Sequence, residues 1–405
     1  MSDRVAITTY STKPRGGVVH TLELAESLSA LGVDTTVVAM GDPDQGFFRR
    51  VDVPVVVIPA PPRQDTLEER VFAWIGAMQQ GLADLMPGFT VVHAQDCISA
   101  RAANAVRKAG SPGADVTLVR TVHHVDDFTT QALIDCQAAA ITEPDHVVVV
   151  SEMWRRQLWA DYGVEATMIT NGVRHERFAA ANVDPTAAAA CRDRLGVADR
   201  HLFLTVGGIE PRKGSKHLIE ALAAVKAGKG PSASPVLAVV GGHSFQDYTP
   251  YREAVLASFG SLGLELGTDV VMLGTVPDDE LPTWFHAADS FVFPSLNEGW
   301  GLVILEAQAA GLPVLVSDIE VFGEFLEDGT NALMTAAGDA GSIAAAMRRL
   351  IDDAGLRRRL GSAGPASAAR FSWEATARSH IELYSAITDG SIHAPSSAPY
   401  RQPAS

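Results

Sequence analysis

Apolar positions along this chain come in short continuous runs rather than in strict alternation. Val5-Ala6-Ile7-Thr8-Thr9, Val55-Val56-Val57-Ile58, Val91-Val92-His93, Val116-Thr117-Leu118-Val119 and His146 to Val150 are runs of this kind. Each has the length of a strand, and a strand apolar on both sides belongs in a parallel sheet whose two faces are covered by helices. Helical spacing fills the gaps between them. Val18 to Leu31 carries Leu22, Ala25, Leu28 and Leu31 and is stopped by Gly32; Leu67 to Leu85 and Ser99 to Lys108 follow the same rule. The pattern closes around Ile169-Thr170-Asn171-Gly172-Val173, and the alanine-rich segment 174–199 reads as a linker with a short helix.

The alternation then restarts. Leu202 to Val206, Pro235 to Val240, Val270 to Leu273, Ser290 to Phe293 and Val314 to Val316 predict a second set of strands, with helices at about 215–227, 278–287, 340–353 and 355–369. The fold class is therefore α/β, with two doubly wound domains at 1–175 and 198–370. A last helix at 372–388, with apolar residues at 377, 381, 384 and 387, follows the completed second sheet and is expected to cross back to the first domain. The Ser-, Pro- and Ala-rich tail 389–405 is expected to be disordered. In open α/β sheets ligands collect at the carboxyl ends of the strands. A cleft between two such domains would face Gly16-Gly17, Gly207-Gly208 and the stretch from Glu298 to Gly301.

Composition narrows the partners. The 405 residues are 47% hydrophobic and carry a net charge of −16, which argues against nucleic acid and against recruitment to an acidic lipid surface. Cys97, Cys136 and Cys191 are widely spaced and show neither CxxC nor a Cys/His ligand pattern, so neither a disulfide framework nor structural zinc is expected. The N-terminal apolar run is too short for a signal-peptide core, and no run approaches the ~20 residues of a membrane-spanning helix. The expectation is a cytoplasmic protein, with membrane association absent or peripheral.

The candidate chemistry lies at strand ends. Gly16-Gly17 follows the first strand but forms neither GxGxxG nor a GKS/T phosphate loop, so a tight turn and a ligand contact both remain open. Glu298 lies in the turn after the strand 290–293, and Glu306 inside the apolar helix that follows, next to Leu305 and Ala307. A buried carboxylate without a partner costs several kcal/mol, which makes both glutamates informative. Glu298 is either a helix-start charge, with an effect of ~0.3–1 kcal/mol, or a ligand contact. Glu306 is either paired with an Arg or Lys or poised to accept from a diol such as a ribose. The amides of Gly301, Leu302 and Val303 open the helix and suit an anion. Arg212 and Lys213 precede another helix, where cations oppose the dipole; a diphosphate would explain them, and so would a solvated loop. His123, in His123-His124-Val125-Asp126-Asp127, reads as a polar residue lining a site or as a structural histidine, and His93 with Asp96 as a weaker case of the same kind. Adjacent side chains on an extended chain point opposite ways, so no metal site is expected there. GxSxG, HExxH and a telling Cys/His pair are all absent, leaving hydrolase and protease readings without a nucleophile.

With these residues assembled, the chain resembles the retaining GT-B glycosyltransferases of the large family-four, or group 1, class. The most specific part is an E-x7-E motif, Glu298 and Glu306 in PSLNEGWGLVILEAQAAGLPVLVSD. TVGGIEPRKGSKHLIEAL, VPDDELPTWFHAADSFVFPS, VVVVSEMW, ITNGV and EFLEDGTNAL support it. The resemblance implies two Rossmann-like domains, acceptor-binding at 1–175 and donor-binding at 198–370, and a nucleotide-diphosphate sugar as donor. It implies Glu306 on the ribose, Lys213 on the diphosphate and Glu298 near the reacting sugar carbon. The amides of Gly301, Leu302 and Val303 would complete the phosphate cradle, Gly17 would approach it from the first domain, and His123 would sit by the sugar. It further implies no metal and no cofactor. Where the family pattern has an arginine five residues before the lysine, this chain has Gly208, and Arg212 is expected to replace that charge. The acceptor, whether small molecule, glycan or lipid-linked, is not encoded legibly. A nucleotide-sugar epimerase or phosphorylase on the same architecture, and a two-lobed binding protein without catalysis, are the alternatives.

Overall fold

The computed structural model describes residues 3–110, 115–197, 199–227, 234–242 and 245–391. The chain divides into two compact units, Met1–Gly172 together with Trp373–Ser405, and Val173–Ser372. Of the tail expected to be disordered, residues 392–405 lie outside the described part.

In the first unit the described residues form seven parallel strands: β1 (Arg4–Thr9), β2 (Asp34–Gly41), β3 (Val55–Pro59), β4 (Val91–Ala94), β5 (Thr117–Val122), β6 (His146–Val149) and β7 (Thr167–Met168). Their order is β3-β2-β1-β4-β5-β6-β7. The chain winds outward from β1 to β3 and returns to the other side of β1, so the switch point lies between β1 and β4. Val5, Ala6 and Ile7 are fully buried, as the continuous run requires. The helix Gly16–Ala30 begins at the carboxyl end of β1, and Cys97–Lys108 at that of β4.

The second unit repeats the plan with β8 (Leu202–Val206), β9 (Val236–Val240), β10 (Val270–Gly274), β11 (Ser290–Phe293), β12 (Val314–Ser317) and β13 (Leu333–Thr335), ordered β10-β9-β8-β11-β12-β13. Its switch point lies between β8 and β11. One core cluster joins Phe203, Leu222, Leu237, Val292, Leu315 and Met347 across the sheet and its covering helices.

Several elements exceed the sequence expectation. They are helices Gln131–Thr142, Glu152–Tyr162 and Thr249–Ala257, and strands β7 and β13. Gln131–Thr142 buries Leu133, Cys136, Ala140 and Ile141 at helical spacing, whereas Glu152–Tyr162 buries only Trp154 and Leu158, and Thr249–Ala257 only Val255, too few to show a period. The linker region holds the helices His175–Phe178 and Pro185–Arg194.

The last helix, Trp373–Thr388, belongs to the first unit and packs on Gly16–Ala30. Its buried face is Trp373, Thr376, Ala377, His380, Leu383 and Tyr384. Ile381 and Ile387, on the apolar stripe read from the sequence, are only half-buried. The face turns this way because its contacts are polar. Tyr384 Oη lies 2.6 Å from His93 Nδ1, and Thr376 Oγ1 donates to the Thr170 carbonyl at 2.8 Å. Among the described residues no helix is long and apolar enough to cross a membrane.

Candidate functional site

The loops at the second switch point are tied by backbone. Leu296 N donates to the Arg212 carbonyl at 2.8 Å. Gly214 sits at φ +65°, and a Cβ there would fall 2.0 Å from the Pro294 carbonyl oxygen. Only glycine allows that approach, and the approach sets Arg212 and Lys213 beside the turn that carries Glu298.

The result is one carboxylate oxygen with three donors. Glu298 Oε1 receives Lys213 Nζ at 2.6 Å, Arg212 Nη1 at 2.9 Å and Ser295 Oγ at 2.9 Å. Burial alone would raise the Glu298 pKa; the Lys213 and Arg212 charges and the two side-chain hydrogen bonds overcome it and hold the group down to about 2. The Lys213 pKa is lowered by its own burial, with Glu298 opposing that shift, and its Nζ stands 4.5 Å from the Phe293 ring centroid. Glu298 is therefore ionised at neutral pH. It precedes the helix Leu302–Ala309, whose first turn holds no acidic residue, so the helix-start reading is replaced by an ion-pair cluster.

Gly301 immediately precedes that helix, and Leu302 and Val303 open it, so their amides have no acceptor within the helix. Glu306 lies on the same helix and is half-buried rather than sealed in the core. Trp300 turns inward and stacks on Phe325 at 4.8 Å between ring centroids. Gly208 has no room for the family's arginine: a Cβ there would come 2.8 Å from the Gly242 carbonyl oxygen. A small crevice beside Lys213 is lined by Gly207, Gly208 and Phe293.

The first unit brings Gly17 and His123 together; a methyl group on Gly17 would touch the imidazole Cδ2 at 3.7 Å. Gly16 is exposed beside it. His123 Nε2 lies 3.1 Å from Gln95 Oε1, and the ring stands edge-on to His20, whose Nδ1 meets Asn171 Oδ1 at 2.8 Å. Burial, then the neighbouring His20 and Arg120, push the His123 pKa well below its usual value, so the ring is neutral at pH 7. His93 and Asp96 have structural work. His93 is buried between Tyr384 and Thr121, while Asp96 caps the helix Cys97–Lys108 and accepts from the Tyr10 amide at 2.7 Å. Ser295, Gln95 and His20 were not singled out in the sequence. Ser295 had a local signal, three residues before Glu298; Gln95 and His20 had none, because their partners are distant in the chain.

A family model described as Glycosyl transferases group 1 matches residues 191–367, and one described as Glycosyltransferase Family 4 matches residues 14–177. A protein of Kineococcus radiotolerans named D-inositol 3-phosphate glycosyltransferase is 30% identical over 432 aligned positions, covering 94% of this chain and 94% of that protein. One of the same name from Thermobispora bispora is 37% identical over 204 positions, 49% of this chain and 46% of that protein's length. Among solved structures, Anabaena HepE in complex with UDP-glucose aligns with a TM-score of 0.77 at 20% identity, covering 95% of this chain and all of that one. Sucrose-phosphate synthase from Thermosynechococcus elongatus also aligns with a TM-score of 0.77, at 21% identity over 96% of this chain. At these identities the structural likeness shows the fold.

Proposed function

We propose a donor, a set of roles and a stereochemical course on the premise that this chain belongs to the group 1, family 4 glycosyltransferases and has their GT-B fold of two Rossmann-like domains. It is an enzyme that transfers a sugar. The donor we infer is a nucleotide-diphosphate sugar, and the observation that carries this is the cluster of Lys213, Arg212 and Ser295 on Glu298 beside a helix start.

A diphosphate needs cations and amides around it. Lys213 has three N–H donors and gives one to Glu298, so the ammonium can bridge carboxylate and phosphate. Arg212 stands where it can add the charge that Gly208 omits. The amides of Gly301, Leu302 and Val303 extend the cradle. Glu298, acceptor-only and ionised, takes hydroxyl donors of the sugar, and Glu306 those of the ribose. In the first unit, the residues we infer to meet substrate are Gly17 and the neutral His123. With charge on the leaving diphosphate met by side chains and amides, transfer runs without a metal and with retention, by attack on the same face that the diphosphate leaves. The location we infer is cytoplasmic.

Relatives at 29–37% identity carry the name D-inositol 3-phosphate glycosyltransferase, so that compound is the first acceptor to try. The test is a panel of UDP-, GDP- and ADP-sugars with and without D-inositol 3-phosphate, in EDTA, reading nucleoside diphosphate release and the anomeric configuration of the product by NMR. Release from at least one donor with retained configuration is expected. Binding without release across the panel overturns the donor reading, an inverted anomer overturns retention, and loss of turnover in EDTA overturns metal independence.

A further inference from the structure

Cys97 and Cys136 are 39 positions apart in the chain, yet their sulfur atoms stand 3.8 Å apart, and Cys97 Sγ is 3.7 Å from the Cys136 carbonyl oxygen. Both are free thiols. Cys97 is half-buried at the first position of the helix Cys97–Lys108, and Cys136 is buried in Gln131–Thr142. A disulfide is about 2.05 Å between sulfurs, so the pair closes with an approach of under ~2 Å. The setting favours thiolate at Cys136, on which the Arg101 guanidinium acts; at Cys97 the Arg120 guanidinium is outweighed. The Cys97 thiol, hydrogen-bonded to the Cys136 sulfur, lowers the Cys136 pKa against its burial, and Arg101 adds to this; the same hydrogen bond, with burial, raises that of Cys97. Cys136 ionises first.

The sequence neighbours of both cysteines hold the segment that carries His123. Gln95, two residues before Cys97, meets the His123 ring at 3.1 Å. Gln137, next to Cys136, accepts from the Asp126 amide at 2.8 Å and donates to the Asp126 carbonyl at 2.9 Å. We propose that Cys97 and Cys136 form a reversible redox modification site, oxidised by a peroxide to a disulfide that tightens the hold on residues 123–126.

The Cys136 thiolate attacks one oxygen of hydrogen peroxide, the O–O bond breaks, and the departing hydroxide leaves as water with a proton from solvent. The sulfenic acid formed on Cys136 is then attacked by the Cys97 sulfur, which loses its proton as the hydroxyl departs as a second water. Two thiols are oxidised by two electrons and one peroxide is reduced to two waters. A small dithiol reverses the reaction.

The full chain is treated with hydrogen peroxide and its free thiols are counted. Three should fall to one, Cys191 remaining, and return with dithiothreitol. An unreduced tryptic digest should join the peptide ending at Arg101 to that ending at Arg155, two hydrogens lighter than their sum. Backbone hydrogen exchange across 122–130 should slow several-fold, and C97S and C136S should show neither change. Thiol loss without that joined pair, or a bond that includes Cys191, overturns the site; a bond that leaves exchange unchanged overturns its link to His123. A several-fold fall in turnover of UDP-glucose is also expected, and that expectation rests on the donor reading above, whereas the mass and exchange measurements use no donor.

Discussion

Glu298 balances two opposing effects. Burial raises its pKa, while Lys213, Arg212 and two hydrogen bonds lower it to about 2, below the ordinary 4.5. A folded value below the unfolded one means that this group stabilises the fold above pH 4.5 and loses that contribution as pH falls through 4.5 toward 2. At 1.4 kcal/mol per pH unit the contribution is about 3 kcal/mol. At neutral pH, Glu298→Gln removes the nearer counter-charge of two cations, Glu210 remaining 3.9 Å from Arg212, and should cost about 3 kcal/mol, read from the urea midpoint; Ser295→Ala, which removes one hydroxyl donor, should cost about 1 kcal/mol. Donor affinity separates the two cations. Lys213→Ala and Arg212→Ala should both weaken nucleotide-sugar binding, measured by calorimetry. If Arg212→Ala binds as the parent does while Lys213→Ala does not bind, Arg212 has not replaced the arginine absent at Gly208. Restoring that arginine is not a repair, because the Gly242 carbonyl occupies the space. Gly208→Arg should lower stability by roughly 1–3 kcal/mol through overpacking.

At the scale of elements, the last helix shows how polar contacts redirect an amphipathic face. The predicted stripe of Trp373–Thr388 ran through 377, 381, 384 and 387; Ala377 and Tyr384 are buried, but Thr376 and His380 take the buried places expected of Ile381 and Ile387. Buried polar groups require partners, and His93 and the Thr170 carbonyl supply them. Tyr384→Phe keeps the ring and removes the hydroxyl, leaving buried His93 Nδ1 without that hydrogen bond. The expected loss is about 1–3 kcal/mol in chemical denaturation of the full chain. An unchanged midpoint would mean that the helix is held by its apolar contacts alone.

Across the whole molecule the two units carry different acid sensitivity. Burial lowers the pKa of His20 to about 3, with the His380 charge adding to it, and that of His380 to about 4. His93 and His123 are likewise held well below 6.5 by burial first and by their cationic neighbours. All four lie in the first unit. Their neutral forms stabilise the fold above about pH 6.5, and this is lost as pH falls through 6.5 toward 3–4, because the unfolded chain binds protons that the folded one refuses. The Glu298 contribution, in the second unit, starts to fall only below 4.5. Lowering pH from 6.5 to 4.5 should therefore reduce hydrogen-exchange protection in β1, β4 and Trp373–Thr388 before it does so in β8 and β11. Earlier loss in the second unit would contradict this assignment.

The sequence by itself determined the two-sheet α/β plan, since strands buried on both faces must be written as unbroken apolar runs, and it placed the E-x7-E and Arg212-Lys213 segments, whose spacing is local. Elements with one or two buried side chains, such as Glu152–Tyr162, left no period to read. What only the tertiary structure decided were the pairings. Lys213 reaches Glu298 across 85 positions, His20 reaches Asn171 across 151, and Cys97 meets Cys136 across 39. No spacing rule links residues so far apart. Sheet order brings their strand ends together, and glycines at 208 and 214 admit the backbone approaches between loops. That is why Cys97 and Cys136, read along the chain as unrelated thiols, became a pair only in the fold.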